Sequence, residues 1–393
     1  MKFKPKFPLI LITILTLSLT SCDCMYTEQG FAELLQNKTT ISDFSQLNDP
    51  FVLQLPAGEI YKHKFNSHKD SISKTGKVFV VYDWEKNEVY DWVYCEGEFG
   101  IGYTSLTKIQ DNYYYSYVYC TELCYINSKG GKIQKIEVPQ NWDFINFSSS
   151  GKYNVLKFPD FSGIWFSFYS DDTKELSEWK YQEGYTIGSN VPFDVNGNFY
   201  LMCKKNDANW NLLKLDCETE TIENLYSFDN SEVYCDVLYA DENFCIYDTT
   251  IQQQKYLKPE LFFYDFAEGK SYQIKPVENY ADSILADYFY SIVKVGERYF
   301  AITASTSDSK VLDLIQIFEI DMDTLTYKRA TNKKCIFRYA EDIKVRGNRI
   351  YFSNTLDNFM NIKYIYYDVD EDKFSSEVNV SFVEIMDEWK AAH

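Results

Sequence analysis

The residues that could carry out chemistry are few in kind and widely separated in this sequence. Its 393 residues include three histidines, at positions 63, 68 and 393. A serine–histidine–aspartate triad would have to take its base from His63 or His68, and both lie in a stretch without clear patterning. The sequence contains no Gly-x-Ser-x-Gly, P-loop, Gly-x-Gly-x-x-Gly or His-Glu-x-x-His motif. We therefore predict no catalytic residue and no cofactor.

Carboxylates are abundant, but their spacing does not define a reaction. With 58 acidic residues, close pairs are expected by chance. A carbohydrate-active enzyme with two such carboxylates is therefore kept only as the alternative function. Asp368-x-Asp370-x-Asp372 has the spacing of the start of a calcium loop, but the glycine and distal glutamate that complete one are missing. We interpret it as a solvated turn and predict no metal site.

The ten cysteines do not form a zinc-binding pattern. Cys120 and Cys124 would close a tight loop, but strand geometry would place them about 13 Å apart. Cys235 and Cys245 are spaced to lie on neighbouring strands of a hairpin. The favoured interpretation is that most cysteines are buried free thiols that act as small apolar residues.

Residues 1–21 are predicted to be a lipoprotein signal peptide. Lys2, Lys4 and Lys6 precede an apolar stretch that is too short to span a bilayer. The stretch ends in Leu19-Thr20-Ser21-Cys22, which resembles the bacterial lipobox. This resemblance implies lipidation at Cys22, acyl chains such as palmitate that anchor the protein to a membrane, and a location in the bacterial cell envelope or periplasm. Residues 22–50 are predicted to be a polar tether.

The net charge of the chain limits the class of partner that it can bind. There are 39 basic and 58 acidic residues, a net charge of −19. A field of this sign repels phosphate backbones, so nucleic acid is excluded as a partner.

An outer hairpin repeats along residues 51–393. Each copy has an apolar and aromatic run, a turn opened by a residue whose side chain bonds its own backbone, and a second alternating run. The turn-entry residues are Asp83, Asn127, Ser170, Asp216, Asp265, Asp321 and Asp368. Weaker inner hairpins lie between them, at 111–119, 192–203, 236–248, 291–303 and 342–354.

Four short strands per repeat are typical of a β-propeller blade. The predicted fold is therefore an all-β propeller over 51–393, with seven four-stranded blades favoured and six possible. The first blade is built from FVLQL (51–55), IYKHKF (60–65) and the hairpin at 78–92. The Tyr-Asp turn entries, such as Tyr264-Asp265, resemble those of the bacterial propellers typified by the Tol-system and outer-membrane assembly lipoproteins. The resemblance is one of architecture and transfers no functional residue.

The segments that connect successive blades differ in length and contain aromatic residues. Loops of this kind on a rigid repeated frame are the usual place for recognition. We therefore predict weak ligand-binding roles for the aromatic set Trp92, Trp142, Trp179, Tyr185 and Tyr280. The other interpretation is that these rings pack between blades. The predicted function is a lipid-anchored, non-enzymatic module that binds a protein or a glycan; a scaffold without a ligand of its own is a further possibility.

Overall fold

The computed structural model of this chain consists of β-strands and the turns that join them. It describes residues 52–56, 77–83, 86, 88–95, 104–109, 112–117, 122–127, 134–137, 143–147, 153–159, 163–170, 173, 175–178, 180–187, 193–205, 209–228, 233–253, 256–277, 288–304, 315–333, 335–337, 340, 342–356 and 361–381. These residues contain no helix, and so none that could cross a membrane. The all-β prediction is confirmed for this part of the chain.

The chain divides into two compact units. The first contains residues 1–101 and 124–134, and the second contains residues 102–123 and 135–393. In the first unit, sheet A has the antiparallel order β1–β2–β3, with strands β1 (Val52–Pro56), β2 (Lys77–Asp83) and β3 (Glu88–Cys95). A first blade built in chain order would place residues 60–65 between β1 and β2. This prediction was wrong, because β1 pairs directly with β2. β2 is apolar at most positions, as is typical of a central strand with both faces covered. Residues 60–65 lie outside the described residues.

The predicted outer hairpin around Asn127 is flanked by strands β6 (Glu122–Asn127) and β7 (Gln134–Glu137). Before it, β4 (Thr104–Ile109) and β5 (Asn112–Tyr117) form an antiparallel hairpin, which belongs to sheet B. The inner hairpin predicted at 111–119 is therefore a single strand, and its partner precedes it. Because the segment from Tyr113 to Tyr117 contains no Gly, Pro, Asn or Asp, it continues as one strand.

The rest of the second unit consists of antiparallel meanders that follow one another along the chain. Sheet C contains β8 (Asp143–Phe147), β9 (Tyr153–Pro159), β10 (Gly163–Ser170), β11 (Glu175–Leu176) and β12 (Lys180–Glu183). Sheet D contains β13 (Tyr185–Ile187), β14 (Phe193–Val195), β15 (Asn198–Lys205), β16 (Asn209–Asp216) and β17 (Thr221–Phe228). Sheet E contains β18 (Val233–Ala240), β19 (Phe244–Gln253), β20 (Tyr256–Asp265) and β21 (Lys270–Pro276). Sheet F contains β22 (Tyr288–Val295), β23 (Arg298–Ala304), β24 (Gln316–Asp321) and β25 (Thr326–Arg329). Sheet G contains β26 (Asp342–Arg346), β27 (Arg349–Leu356), β28 (Asn361–Asp368), β29 (Lys373–Phe374) and β30 (Val378–Ser381).

Central strands of these sheets are buried on both faces, whereas outer strands are exposed. In β16, residues 210–213 are all buried, but in its outer neighbour β17 no residue is. A strand covered on both faces has a nearly continuous apolar sequence, and a strand with one solvated face does not. The sequence NWNLLKLD at β16 and TIENLYSF at β17 follow this rule.

Neighbouring sheets pack face to face in chain order. The alternation of side chains along β16 shows how: Leu213 and Leu215 join a core cluster with Phe168 of sheet C, whereas Leu212 joins a cluster with Tyr247 of sheet E. In the same way β23 directs Ala301 to the junction with sheet E and Phe300 to the junction with sheet G. Each junction therefore buries one face of two sheets, which is how propeller blades are stabilised.

The turn-entry aspartates have the role predicted from the sequence. In four of the outer hairpins, one carboxylate oxygen of the entry residue accepts hydrogen bonds from the backbone N–H groups two and three residues later. The four entry residues are Asp216, Asp265, Asp321 and Asp368. Four positions after each of them, the backbone is left-handed, at Glu220, Gly269, Leu325 and Asp372. This conformation lets the chain reverse into the outer strand.

Sheets E and F are also joined by their outer strands. Lys275 and Pro276 of β21 pair in parallel with Thr326 and Tyr327 of β25. The backbone N–H of Lys275 donates to the Leu325 carbonyl at 2.9 Å, and that of Val277 donates to the Tyr327 carbonyl at 2.9 Å. The two meanders thus form one eight-stranded sheet.

Candidate functional site

Most of the residues predicted for lipidation and ligand binding lie outside the part of the chain that the structure describes. Cys22, Trp142, Trp179 and Tyr280 fall there. Trp92 lies on β3 with its backbone paired to Val80, and its side chain is outside the description. The aromatic set as a whole therefore stays a prediction.

Tyr185, the described member of the set, lies in the core. It is the first residue of β13, and its side chain is 3% exposed within the cluster between sheets C and D. The Lys205 ammonium lies 5.3 Å from the centre of its ring. A ring buried to this extent packs between sheets and presents no open face to a ligand. Its place at the start of β13 agrees with the packing interpretation for this residue.

The described cysteines agree with the prediction of buried free thiols. Cys203, Cys217, Cys235, Cys245 and Cys335 are all buried, and Cys235, Cys245 and Cys335 are free thiols. Cys235 and Cys245 do lie on the neighbouring strands β18 and β19, but they are paired with Thr249 and Ala240 instead of each other. Burial raises the pKa of the Cys335 thiol to about 12 and raises those of Cys235 and Cys245 as well. These thiols are thus poor nucleophiles at neutral pH.

The Asp368–Asp370–Asp372 spacing forms a turn, as the sequence analysis interpreted it. The Asp368 carboxylate accepts bonds from two backbone N–H groups, and Arg349 Nε donates to its other oxygen at 3.2 Å. Asn348 Nδ2 donates to both Asp368 and Asp370. Asp372 accepts a bond from the Tyr367 hydroxyl at 3.1 Å. Within the described residues, no group of three or more His, Cys, Asp or Glu side chains could hold a metal ion.

A cavity of about 430 Å³ opens at the turn ends of sheets D and E. Sheet D supplies most of its lining residues, and sheet E supplies one from an inner turn and one from an outer turn. The lining residues are Val195, Asn196, Asn198, Tyr200, Lys214, Glu223, Leu225, Glu242 and Phe266. This volume is within the range of small-ligand sites.

Local sequence explains how the walls are held. Asn196 and Gly197 both have positive φ and form the two-residue turn between β14 and β15. The side-chain amide of Asn196 donates across the junction to Glu242 Oε1, which fixes this carboxylate at the cavity mouth. The Phe266 ring stacks on Tyr200, with ring centres 4.6 Å apart and an interplanar angle of 13°.

The cavity has a negative electrostatic character. Two carboxylates and one ammonium group line it, those of Glu223, Glu242 and Lys214. Burial raises the pKa of Tyr200 to about 12, and the charges of Asp216, Glu223 and Asp241 act in the same direction. Asn198 Oδ1 is a buried acceptor without a hydrogen-bond partner in the described structure. The site thus offers mainly acceptors to an incoming group.

Sequence reasoning identified the Asn-Gly turn of this site but not the cavity. The inner hairpin predicted at 192–203 is confirmed, and its turn lies at Asn196-Gly197. The cavity depends on Glu242 and Phe266, which reach it from the next sheet. The repeat period was the available signal, because it places equivalent turns of successive sheets side by side.

Comparisons with known proteins assign no activity to this chain. No protein-family model matches it, and no curated protein matches it. Among solved structures, a functionally unknown protein from Desulfotomaculum acetoxidans has 10% identity and a TM-score of 0.47, over 77% of this chain and 92% of that chain. The β-propeller domain of the Trilobed protease from Pyrococcus furiosus has 12% identity and a TM-score of 0.46, over 72% and 86%. TolB from Acinetobacter baumannii has 9% identity and a TM-score of 0.39, over 78% and 77%.

Proposed function

We propose that this protein is a lipid-anchored β-propeller of the bacterial cell envelope that binds a protein or a glycan without catalysing a reaction. The observation that carries this proposal is the succession of antiparallel meanders C to G, each packed face to face on the next. Such a frame is rigid and holds turns and connections at fixed positions, which suits recognition. The proposed propeller has seven four-stranded blades.

The chemistry of the described side chains favours binding over catalysis. The turn-entry carboxylates bond their own backbone, and the thiols of Cys235, Cys245 and Cys335 are buried with raised pKa values. These groups thus serve the fold. The groups left available at the surface of sheets D and E are hydrogen-bonding and charged side chains around an open cavity, an arrangement that can hold a ligand.

The binding role is tested by affinity capture with the full chain from detergent-solubilised envelope. We expect a reproducible protein or glycan partner, and we expect Trp142→Ala with Trp179→Ala to weaken its capture while leaving the melting temperature nearly unchanged. Turnover of an envelope polysaccharide by the purified chain would instead establish the enzymatic alternative. Unfolding of the tryptophan variants would show that these indoles pack between sheets.

Anchoring is tested separately. Cys22→Ala removes the thiol that would accept the diacylglyceryl group, so we expect loss of fatty-acid labelling and a shift to the soluble fraction. Cys24→Ala is the matched control, since Cys24 lies two residues away and outside the lipobox. Unchanged membrane partition of the Cys22→Ala protein would exclude lipid anchoring at this residue.

A further inference from the structure

We propose that the cavity between the turn ends of sheets D and E binds a positively charged side chain, arginine or lysine, of a partner protein. This inference rests on the proposed binding function and names the chemistry of the bound group at one described site. It concerns a different part of the molecule from the predicted aromatic set.

The hydrogen-bonding groups of the cavity call for a donor. Glu242 accepts from the Asn196 amide at one oxygen, which leaves its carboxylate oriented and able to accept further bonds. Glu223 lines the same space from β17. Guanidinium and ammonium groups have donors only, and therefore complement this set.

The charges of the cavity select the sign of the ligand. Two lining carboxylates outnumber the single lining ammonium of Lys214. Asp216 and Asp241, beyond the lining, also act on Tyr200 and help to raise its pKa, after the larger effect of burial. Such a field attracts cations and repels phosphates and uronates.

The aromatic residues of the cavity argue against a sugar. A saccharide is commonly held by stacking on an open aromatic face. Tyr200 is 5% exposed, and its ring stacks on Phe266. Phe266 also meets Tyr264 edge to face, with ring centres 5.9 Å apart. These rings contact one another, so their faces are not open for stacking on a sugar.

The volume fits one side chain. About 430 Å³ lies at the low end of the range for small-molecule sites and accommodates a single arginine with its hydration. The cavity opens beside the exposed turn residues Asn196 and Glu242, where a partner's backbone would pass. A basic residue projecting from a loop of the partner therefore meets both carboxylates.

The experiment measures binding of small blocked amino acids to the purified full chain in detergent by isothermal titration calorimetry. The probe is N-acetyl-L-arginine methylamide; its uncharged relative N-acetyl-L-citrulline methylamide and a neutral N-acetylglucosamine tetramer serve as comparisons. We expect arginine to bind, and raised salt to weaken it. We expect Glu223→Gln and Glu242→Gln each to lower the affinity on the order of tenfold.

Two further variants make the result specific. Glu371→Gln removes the same charge at an exposed turn residue of sheet G, far along the chain from the cavity, and should leave arginine binding unchanged. Lys214→Met removes the competing ammonium and should strengthen binding several-fold. Circular dichroism of each variant verifies that the sheets are retained.

The proposal is overturned if citrulline binds as tightly as arginine, if arginine shows no saturable binding, or if the glutamate variants bind it like the parent chain. Saturable binding of the saccharide that the glutamate variants abolish would assign the cavity to a glycan instead. Failure to capture an envelope partner, with arginine binding intact, would count against the proposed function and leave the cavity assignment standing.

Discussion

Sheet E is packed on both faces, and its two junctions differ in the contacts made by the outer strands. Towards sheet F, the core combines aliphatic side chains with the edge-to-face rings of Phe289, Phe318 and Tyr327. The outer strands β21 and β25 are joined there by parallel main-chain hydrogen bonds. Towards sheet D, the core has a similar share of aromatic residues, but in the described structure the outer strand β17 pairs with β16 alone. The cavity lies at this second junction.

We call the junction between sheets E and F the closed junction and the junction between sheets D and E the open junction. A frame of repeated sheets can therefore contain both kinds. The meander and the turn-entry aspartate recur in all three sheets, so they do not decide where a cavity forms. The deciding features are the contacts across the junction. Main-chain bonds between outer strands hold sheets E and F together at their rim, whereas sheets D and E meet at their turn ends through side chains such as Asn196 and Glu242.

The largest expected effect is on the closed junction. Phe318 is fully buried between sheets E and F, so Phe318→Ala should leave a cavity and lower the free energy of unfolding by about 3–5 kcal/mol. The matched change at the open junction, Phe266→Ala, removes a half-buried ring and should cost about 1–2 kcal/mol. Urea titration followed by tryptophan fluorescence measures both. Equal losses would show that the two junctions are packed equally well.

The second effect tests the bonds between outer strands. Val277→Pro removes the N–H that donates to the Tyr327 carbonyl and should destabilise the protein by about 1–3 kcal/mol. The control is Val277→Ala, which keeps the N–H; because the Val277 side chain is 61% exposed, this change should be close to neutral. Hydrogen exchange at Lys275 should also accelerate in the proline variant. Similar stability of the two variants would mean that the parallel bonds do not hold the junction.

The sequence predicted the repeated elements well because their causes are local. A turn-entry aspartate bonds backbone groups two and three residues away, so its role can be inferred from residue type and position. The same is true of the Asn196-Gly197 turn, whose positive φ values these two residues adopt readily. The buried central strand β16 could likewise be recognised from its continuous apolar run.

What the sequence did not predict depends on contacts between repeats. The direct pairing of β1 with β2 and the parallel pairing of β21 with β25 join segments with intervening chain between them. Neither leaves a local pattern. The outer strands of sheets C and G are each interrupted by a serine, Ser177 or Ser375, whose hydroxyl accepts from the backbone N–H of the neighbouring strand at 2.9 and 3.0 Å. A single serine in a polar outer strand does not indicate such an interruption.

The third prediction concerns pH and the turn that supports the closed junction. The Thr324 backbone N–H bond, followed by the bond to the Thr324 side chain, lowers the pKa of Asp321 from its usual value. A carboxylate with a lowered pKa in the folded state contributes stability above its unfolded pKa of about 4, and loses it as pH falls through the folded value. Asp321→Asn keeps an acceptor oxygen but does not titrate.

We therefore expect the melting temperature of the parent chain to exceed that of Asp321→Asn at pH 6, and the difference to shrink towards pH 3. The effect should be smaller than that of Val277→Pro, since the turn and its Leu325 carbonyl are retained. Asp323→Asn, at the exposed neighbouring position, is the control and should show no such trend. A difference that stays constant with pH would exclude titration of Asp321 as its cause.

The smallest expected effect is at the open junction and has the opposite sign. Asn198→Val replaces the buried, unpartnered Oδ1 with a β-branched side chain on strand β15, and should stabilise the protein by about 0.5–1 kcal/mol. Because this oxygen has almost no accessible surface, the same change should leave arginine binding nearly unchanged. Asn379→Val, on the exposed outer strand β30, should alter neither property. If Asn198→Val destabilises the chain, the Oδ1 atom has a structural role and the open junction is part of the frame.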